Sequence, residues 1–490
     1  MKIKKLRKIL LRILWITLIA VGIILVYSWQ YVQKREKAIE EAGNFNRENV
    51  VKVLQDTENT IESDTKTGKS DTKTKEIESE TEKQEDSKIK EIEAETVKQE
   101  DSKTKEIETE TAKQENTKTE EMVQTPTQIP AKPTVNQVKL TFTGDLMVHD
   151  YQYNAAYNSK TDEYDFSNNF TYVKKYLESA DYTVGNFETT LAGRERGISS
   201  YPRFNSPDSF AEAVKDAGYD LLTTANNHCA DKGTEGLERT IDVLKDLGFD
   251  QIGTYKSEKE SQKIFIKEIN GMKIAFLSCT YGTNGLSFGE SYHVHLLNED
   301  TYKDIKRARK KADYVIVLPH NGTEYQTNPS EQYQKQYHKM LEAGADAVIA
   351  SHPHVLQPME YQTIQEKDGS SRTGFIIYSM GNFISSQVTA PRDAGVILNL
   401  TLEQTGEERA ELKKVTVIPT WCRFTDASGK RNFTVFSIYD LLHMKEKKRN
   451  SLLRAKDYAK VQKYQEQSTK TLLKKAVSIE ASEKKYTFSK

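Results

Sequence analysis

Six short polar clusters carry the residue types that could do chemistry. GDLMVHD contributes Asp145, His149 and Asp150, GNFE contributes Asn186 and Glu188, and ANNHCAD contributes Asn226, Asn227, His228 and Asp231. Further along, VIVLPHNGTEY supplies His320, Asn321 and Glu324, AVIASHPHV supplies His352 and His354, and IIYSMGNF supplies Ser379 and Asn382. Singly each is ordinary, since Gly-Asp after a strand reads as a turn and Asn readily caps a helix. Their common position is what counts: each follows a predicted strand. Of nine histidines, four (His228, His320, His352, His354) close such strands. With Asp145, Glu188 and Asn227 they make a mixed oxygen and imidazole set, which suits a two-metal hydrolytic site better than a structural zinc.

The elements that must position these clusters alternate in type. Strands are expected at Val138–Thr143, Tyr182–Phe187, Asp220–Thr224, Lys263–Ile269, Lys273–Ser278, Tyr314–Pro319, Ala347–Ala350 and Gly374–Ser379. Helices are expected at Phe170–Ser179, Asp208–Ala217, Thr234–Leu247, Thr301–Lys311 and Ser330–Ala343. Alternation with short loops predicts an α/β domain with parallel or mixed sheets. KIAFLSC and DYVIVLP are nearly unbroken apolar runs, as strands buried on both faces should be. Such sheets gather their ligand site at the carboxyl ends of the strands, where the polar clusters stand. Beyond Phe433, the apolar positions Leu441, Leu442, Leu452, Leu453 and Tyr458 in a charged stretch predict a helix packed on the domain, then a polar tail.

The remaining chain is of another kind. Lys2, Lys4, Lys5, Arg7, Lys8 and Arg12 precede an uncharged run, Ile13 to Val32, close to the ~20 residues a membrane-crossing helix needs. Trp15, Tyr27, Trp29 and Tyr31 sit where interfacial aromatics belong, and the basic excess keeps the N-terminus cytoplasmic. The run is long for a cleaved leader and lacks a small-x-small site near its end, so a retained signal anchor is expected, with all that follows outside the cell. DTKTKEIESETEKQE, DSKIKEIEAETVKQE and DSKTKEIETETAKQE then repeat from Asp71 to Glu115 with one constant apolar position each (Ile77, Ile92, Ile107). One is too few for a coiled coil or a solenoid core, so a solvated spacer, disordered or transiently helical, is predicted. The expected organisation is 1–33 basic stretch and anchor, 34–137 spacer, 138–425 folded domain, and 426–490 helical extension and tail. Lys and Arg total 71 against 72 Asp and Glu, which argues against a nucleic-acid partner. Cys229, Cys279 and Cys422 make neither a disulfide framework nor a CxxC zinc pair.

The ordered motifs GD, GNFE, NNHxxD, PHxGxEY, SHPHV and SMGNF resemble the CapA family of capsule (poly-γ-glutamate) synthesis proteins over Val138 to Trp421. That family is similar in turn to calcineurin-like metallophosphatases, which implies a four-layer α/β/β/α sandwich holding two divalent ions (Mn, Zn or Fe). The resemblance makes Asp145 a ligand of the first metal and Glu188 the bridging carboxylate. It gives Asn227, His320 and His352 to the second metal and His354 to the first. His228 would stabilise charge or protonate a leaving group, with Asp231 orienting it. Three positions depart from the phosphatase pattern: Met147 where a histidine is usual, Glu188 for an aspartate, and Asn226 for a glycine. The first metal position is therefore expected to be weaker, differently coordinated or missing, with His149 a substitute ligand only if the turn after Asp145 is unusual.

Three functions follow: an external, membrane-anchored component of polyanionic polymer synthesis or export beside membrane-bound subunits, a metal-dependent phosphoester hydrolase of the envelope, or a non-catalytic surface module. No GxxxxGK[ST] run occurs, so ATP-driven polymerisation would need a separate ligase. That favours an accessory role.

Overall fold

The computed structural model describes residues 134–489. The expected anchor, 1–33, and the expected spacer up to residue 133 lie outside the described residues. Among the described residues no helix is long and apolar enough to cross a membrane.

In chain order the main strands are β1 (Val135–Leu146), β2 (Tyr182–Phe187), β3 (Leu221–Thr223), β4 (Asp250–Ile252), β5 (Phe265–Ile269), β6 (Met272–Thr280), β7 (Tyr314–His320), β8 (Ala347–Ile349), β9 (Met359–Gln365), β10 (Ser371–Ile377), β11 (Asn382–Ile384), β12 (Ala394–Thr405), β13 (Glu411–Thr425), β14 (Arg431–Ser437) and β15 (Tyr486–Phe488). The main helices are α1 (Asp208–Asp216), α2 (Gly233–Asp246), α3 (Glu299–Arg309), α4 (Glu331–Glu342) and α5 (Ala455–Leu473). One sheet runs β14-β13-β12-β1-β2-β3-β4, with β11 paired to β1 and β15 to β13; the other runs β9-β10-β8-β7-β6-β5. Both are mixed. β1 to β4 are mutually parallel, as are β6, β7, β8 and β10, while β12 and β13 add antiparallel strands to the first sheet.

Side-chain alternation decides which face goes where. Val138, Leu140 and Phe142 of β1 meet Tyr314, Ile316 and Leu318 of β7 in a core shared by the two sheets. The intervening Val317 packs outward against Tyr337, Met340 and Leu341 of α4 and Ile305 of α3. On the outer face of the other sheet, Phe187 and Leu222 pack on Phe210 and Val214 of α1 and Leu244 of α2. Helix starts follow the sequence: Asn298 accepts a hydrogen bond from the Asp300 amide and forms a capping box with Thr301 at the head of α3.

Several expectations are corrected. The sheet begins at Val135, three residues before the expected boundary, because residues 135–137 continue the ladder to β12. The expected boundary at 425/426 falls inside a hairpin, since β13 pairs antiparallel with β14. Beyond it the single helix expected is three, Ile438–Leu442, Glu446–Leu452 and α5, with Leu441, Leu442 and Leu452 in the first two. The C-terminal end is no free tail: β15 pairs with β13, and Asp393 binds Tyr464 (2.5 Å) and Lys460 (2.5 Å) of α5. The helix expected at Phe170–Ser179 is reduced to Lys174–Leu177. Its leading Phe-Thr-Tyr-Val is a poor helix-forming run, and turns there already bury Phe170 and Val173.

Candidate metal centre

The carboxyl ends of the parallel strands of both sheets converge, and the side chains they carry are in contact. Asp145 follows a break in β1 register between Thr143 and Asp145, opposite Asn186 of β2 on one side and Asn382 of β11 on the other. The break depends on glycine: a Cβ on Gly144 would fall 1.8 Å from the Gly381 carbonyl oxygen, which accepts the Asp145 amide at 3.1 Å. Glu188 emerges from β2, Asn227 and His228 from the loop after β3, and His320 ends β7. His352 and His354 lie just past β8 in left-handed backbone (φ 104° and 59°), a strained conformation of the kind stored at functional sites.

Asp145 accepts a hydrogen bond from Asn186 Nδ2 (2.8 Å), and its other oxygen lies 3.0 Å from His354 Nδ1. Asn382 Oδ1 stands 3.1 Å from the same His354 nitrogen. His320 is held between Asn186 Nδ2, 3.1 Å from Nδ1, and Asn227 Oδ1, 2.6 Å from Nε2. Glu188 Oε1 lies between the two imidazoles, 3.5 Å from His320 Nε2 and 3.8 Å from His354 Nε2. His352 stacks at a tilt on His320, with ring centres 4.8 Å apart. Among the described residues, ligand-capable atoms fall into three tight groups: Asp145 with Glu188 and His354, Glu188 with His320 and His352, and Glu324 with His352 and His354. Glu188 joins the first two.

The electrostatics call for a cation. Glu188 is fully buried, and neither of its oxygens accepts a hydrogen bond. Burial, then the nearby carboxylates of Asp145, Glu324 and Asp231, pushes its carboxyl well above the usual range. Burial and neighbouring imidazoles hold His320 well below an ordinary histidine and His352 down to about 3, so both present neutral lone pairs. The buried His352 Nδ1 has no partner. Unpaired buried carboxylate oxygens beside neutral imidazoles are a poor folded-state arrangement alone and a good donor set for a divalent ion. The residues fit the group.

His228 stands beside this set. Its Nδ1 lies 2.8 Å from Asp231 Oδ2, which also accepts the Phe204 amide at 2.6 Å, and the Phe204 ring meets its face edge-on at 4.6 Å. Asn226 turns inward, donating to the Phe187 carbonyl and accepting the His228 amide. His149 caps a short helix, receives the Ser386 amide at 3.4 Å and enters none of the three groups; Met147 is buried. Asn186, Asn382 and Glu324 stand in the polar clusters, yet the sequence gives them no ligand or catalytic role. Strand register sets Asn186 and Asn382 beside Asp145, and the loop after β7 brings Glu324 to His352 and His354.

Residues 139–387 match the family described as bacterial capsule synthesis protein PGA_cap, and the chain belongs to that family. Among relatives, it is 30% identical over 289 residues to the capsule biosynthesis protein CapA of Bacillus anthracis, covering 56% of this chain and 66% of that protein, just under two thirds of its length. It is 28% identical over 285 residues to the PGA biosynthesis protein CapA of Bacillus subtilis (strain 168), covering 56% of this chain and 71% of that protein. Among solved structures it is similar to the calcineurin-like phosphoesterase YfkN from Bacillus subtilis (TM-score 0.34, 14% identity, 69% of this chain and 98% of that one). It is also similar to a 5'-nucleotidase from Candida albicans SC5314 (TM-score 0.29, 15% identity, 54% of this chain and 48% of that one).

Proposed function

We propose that this chain is a membrane-anchored, outward-facing component of poly-γ-glutamate-type capsule synthesis or export, and that its folded domain is a divalent-metal phosphoesterase acting on an envelope substrate. The observation that carries the catalytic part is Glu188, a buried carboxylate without hydrogen-bond donors, shared by two groups of ligand-capable side chains. Asp145, Glu188 and His354 would hold one ion, and Glu188, Asn227, His320 and His352 the other. Bound there, divalent ions supply a hydroxide nucleophile at neutral pH and neutralise charge on the phosphoryl oxygens. The protein's own residues do the rest. Asn186 and Asn382 orient Asp145 and His354 through the hydrogen bonds above, and Asp231 fixes the His228 ring so that a proton can pass from it to the departing oxygen.

The anchoring part is supported by the basic N-terminus and the apolar run Ile13 to Val32. With the main domain outside, the fitting partners are a polyanionic polymer and membrane-bound synthesis subunits. A second reading, a non-catalytic surface module, is favoured by Met147, an apolar side chain where the phosphatase pattern has a ligand. The test is metal analysis and phosphodiester hydrolysis by the purified full chain and by a His352→Ala/His354→Ala variant. Metal and turnover lost together in the variant support the hydrolase. Equal turnover in both proteins, or none in a well-folded wild type supplied with Mn, Zn or Fe, overturns it.

A further inference from the structure

A cleft of about 490 Å³ opens beside His352 and is lined by Tyr281, Asn321, Glu324, Gln332, Tyr333 and Gln336, among others. It is continuous with the metal-ligand cluster, because the Tyr281 ring packs on the His352 imidazole with centres 4.7 Å apart. Its chemistry is narrow. The lining offers phenol rings and carboxamides, with Glu324 as its carboxylate and neither Lys nor Arg. The back wall is fixed: Asn321 is buried, its side-chain amide donates to Gln336 Oε1 at 2.7 Å, and its carbonyl accepts from Tyr337 at 2.9 Å. Gln332 and Tyr333 stand on the first turn of α4 and line the cleft, Gln332 exposed and Tyr333 half-buried.

We propose that this cleft is a subsite for a neutral, polyhydroxylated group, a sugar ring, joined to the phosphoryl group that the histidine cluster would process. The inference rests on the phosphoesterase reading and names its substrate class. Carboxamides offer both donors and acceptors, as hydroxyl groups do, and phenol rings cover the apolar face of a pyranose. Beyond the metal-ligand histidines at its inner end the cleft offers a polyanionic chain neither Lys nor Arg, and Glu324 would repel it, so like charge disfavours it along this lining.

The experiment is calorimetric titration of the full chain, in a detergent without sugar headgroups, with neutral disaccharides (N,N′-diacetylchitobiose, maltose, mannobiose) and with a γ-glutamyl trimer. The expected result is saturable binding of at least one disaccharide, weakened tenfold or more by Tyr333→Ala and by Gln332→Ala, with thermal melts unchanged. Neither residue belongs to the metal-ligand cluster, so both variants keep their metal. No disaccharide binding, binding indifferent to both substitutions, or trimer binding that competes with the sugar overturns the subsite. The assay needs no turnover. Sugar binding that depends on Tyr333 in a protein without hydrolytic activity would sustain the subsite while the phosphoesterase reading fails, and hydrolysis without sugar binding would do the reverse.

Discussion

Gly144 and Gly381 pack backbone against backbone: a Cβ on Gly144 would lie 1.8 Å from the Gly381 carbonyl oxygen. The contact lets a loop of the second half of the chain accept the Asp145 amide and deliver Asn382 to His354. Gly144→Ala should therefore cost about 3 kcal/mol or more, at the upper end of overpacking penalties, because the obstacle is backbone rather than a movable side chain. Urea denaturation reads this directly. A variant as stable as wild type would show that the loop can withdraw, and that the approach does not fix Asp145.

Glu188→Gln keeps the shape of the centre and removes the charge. If Glu188 bridges metal, the variant should lose bound divalent ion and at least ~100-fold in hydrolysis, on the scale of removing one preorganised stabilising group. Its metal-free form should melt higher than metal-free wild type, since a buried carboxylate without donors gives way to a neutral amide. Elemental analysis and melts in chelator check both. Unchanged metal content would remove Glu188 from the centre.

His228→Ala separates binding from chemistry. Because His228 pairs with Asp231 rather than with the other imidazoles, metal content should stay at the wild-type level while kcat falls about 10²–10⁴-fold, the range for a positioned proton donor. Asp231→Asn should lower kcat less, as the ring is retained but no longer held by a carboxylate. Loss of metal in either variant would mean that this pair supports the ligands.

Asp393 ties the C-terminal helix to the sheet. Its side chain is buried and takes bonds from Trp421 Nε1 (2.8 Å), Tyr464 and Lys460. Asp393→Ala should destabilise the fold by about 3 kcal/mol, because buried donors on Trp421 and Tyr464 are left unpaired. Protease cleavage between α5 and the domain should become faster. Stability within error of wild type would mean that α5 is held by its apolar face alone.

Sequence reading located the strand-end clusters and most of the parallel strands and their helices, because buried parallel strands are unbroken apolar runs and their helices carry a clear stripe. It passed over β4, β9, β11 and β15, and also β12, β13 and β14. The last three, antiparallel strands, alternate apolar with polar residues for part of their length, as in NLTLEQT and KKVTVIPT, and look like loop punctuated by charge. The outcome at Phe170–Ser179 has the same root: local spacing records which residues are buried, and the partner decides whether a helix or a chain of turns buries them.

By itself the sequence determined which residue types stand at strand ends, and so the donor chemistry available to the centre. It could not decide which of them share a site. Asp145 and His354 are 209 residues apart and Asp145 and Asn186 are 41 apart, yet each pair is joined by one hydrogen bond. Parallel pairing puts the carboxyl ends of neighbouring strands at one edge, and the apolar core between the sheets brings two such edges together. The placement of Glu188, Asn186, Asn382 and Glu324 is a property of that packing, because bond directions and burial exist only once both sheets have closed on each other.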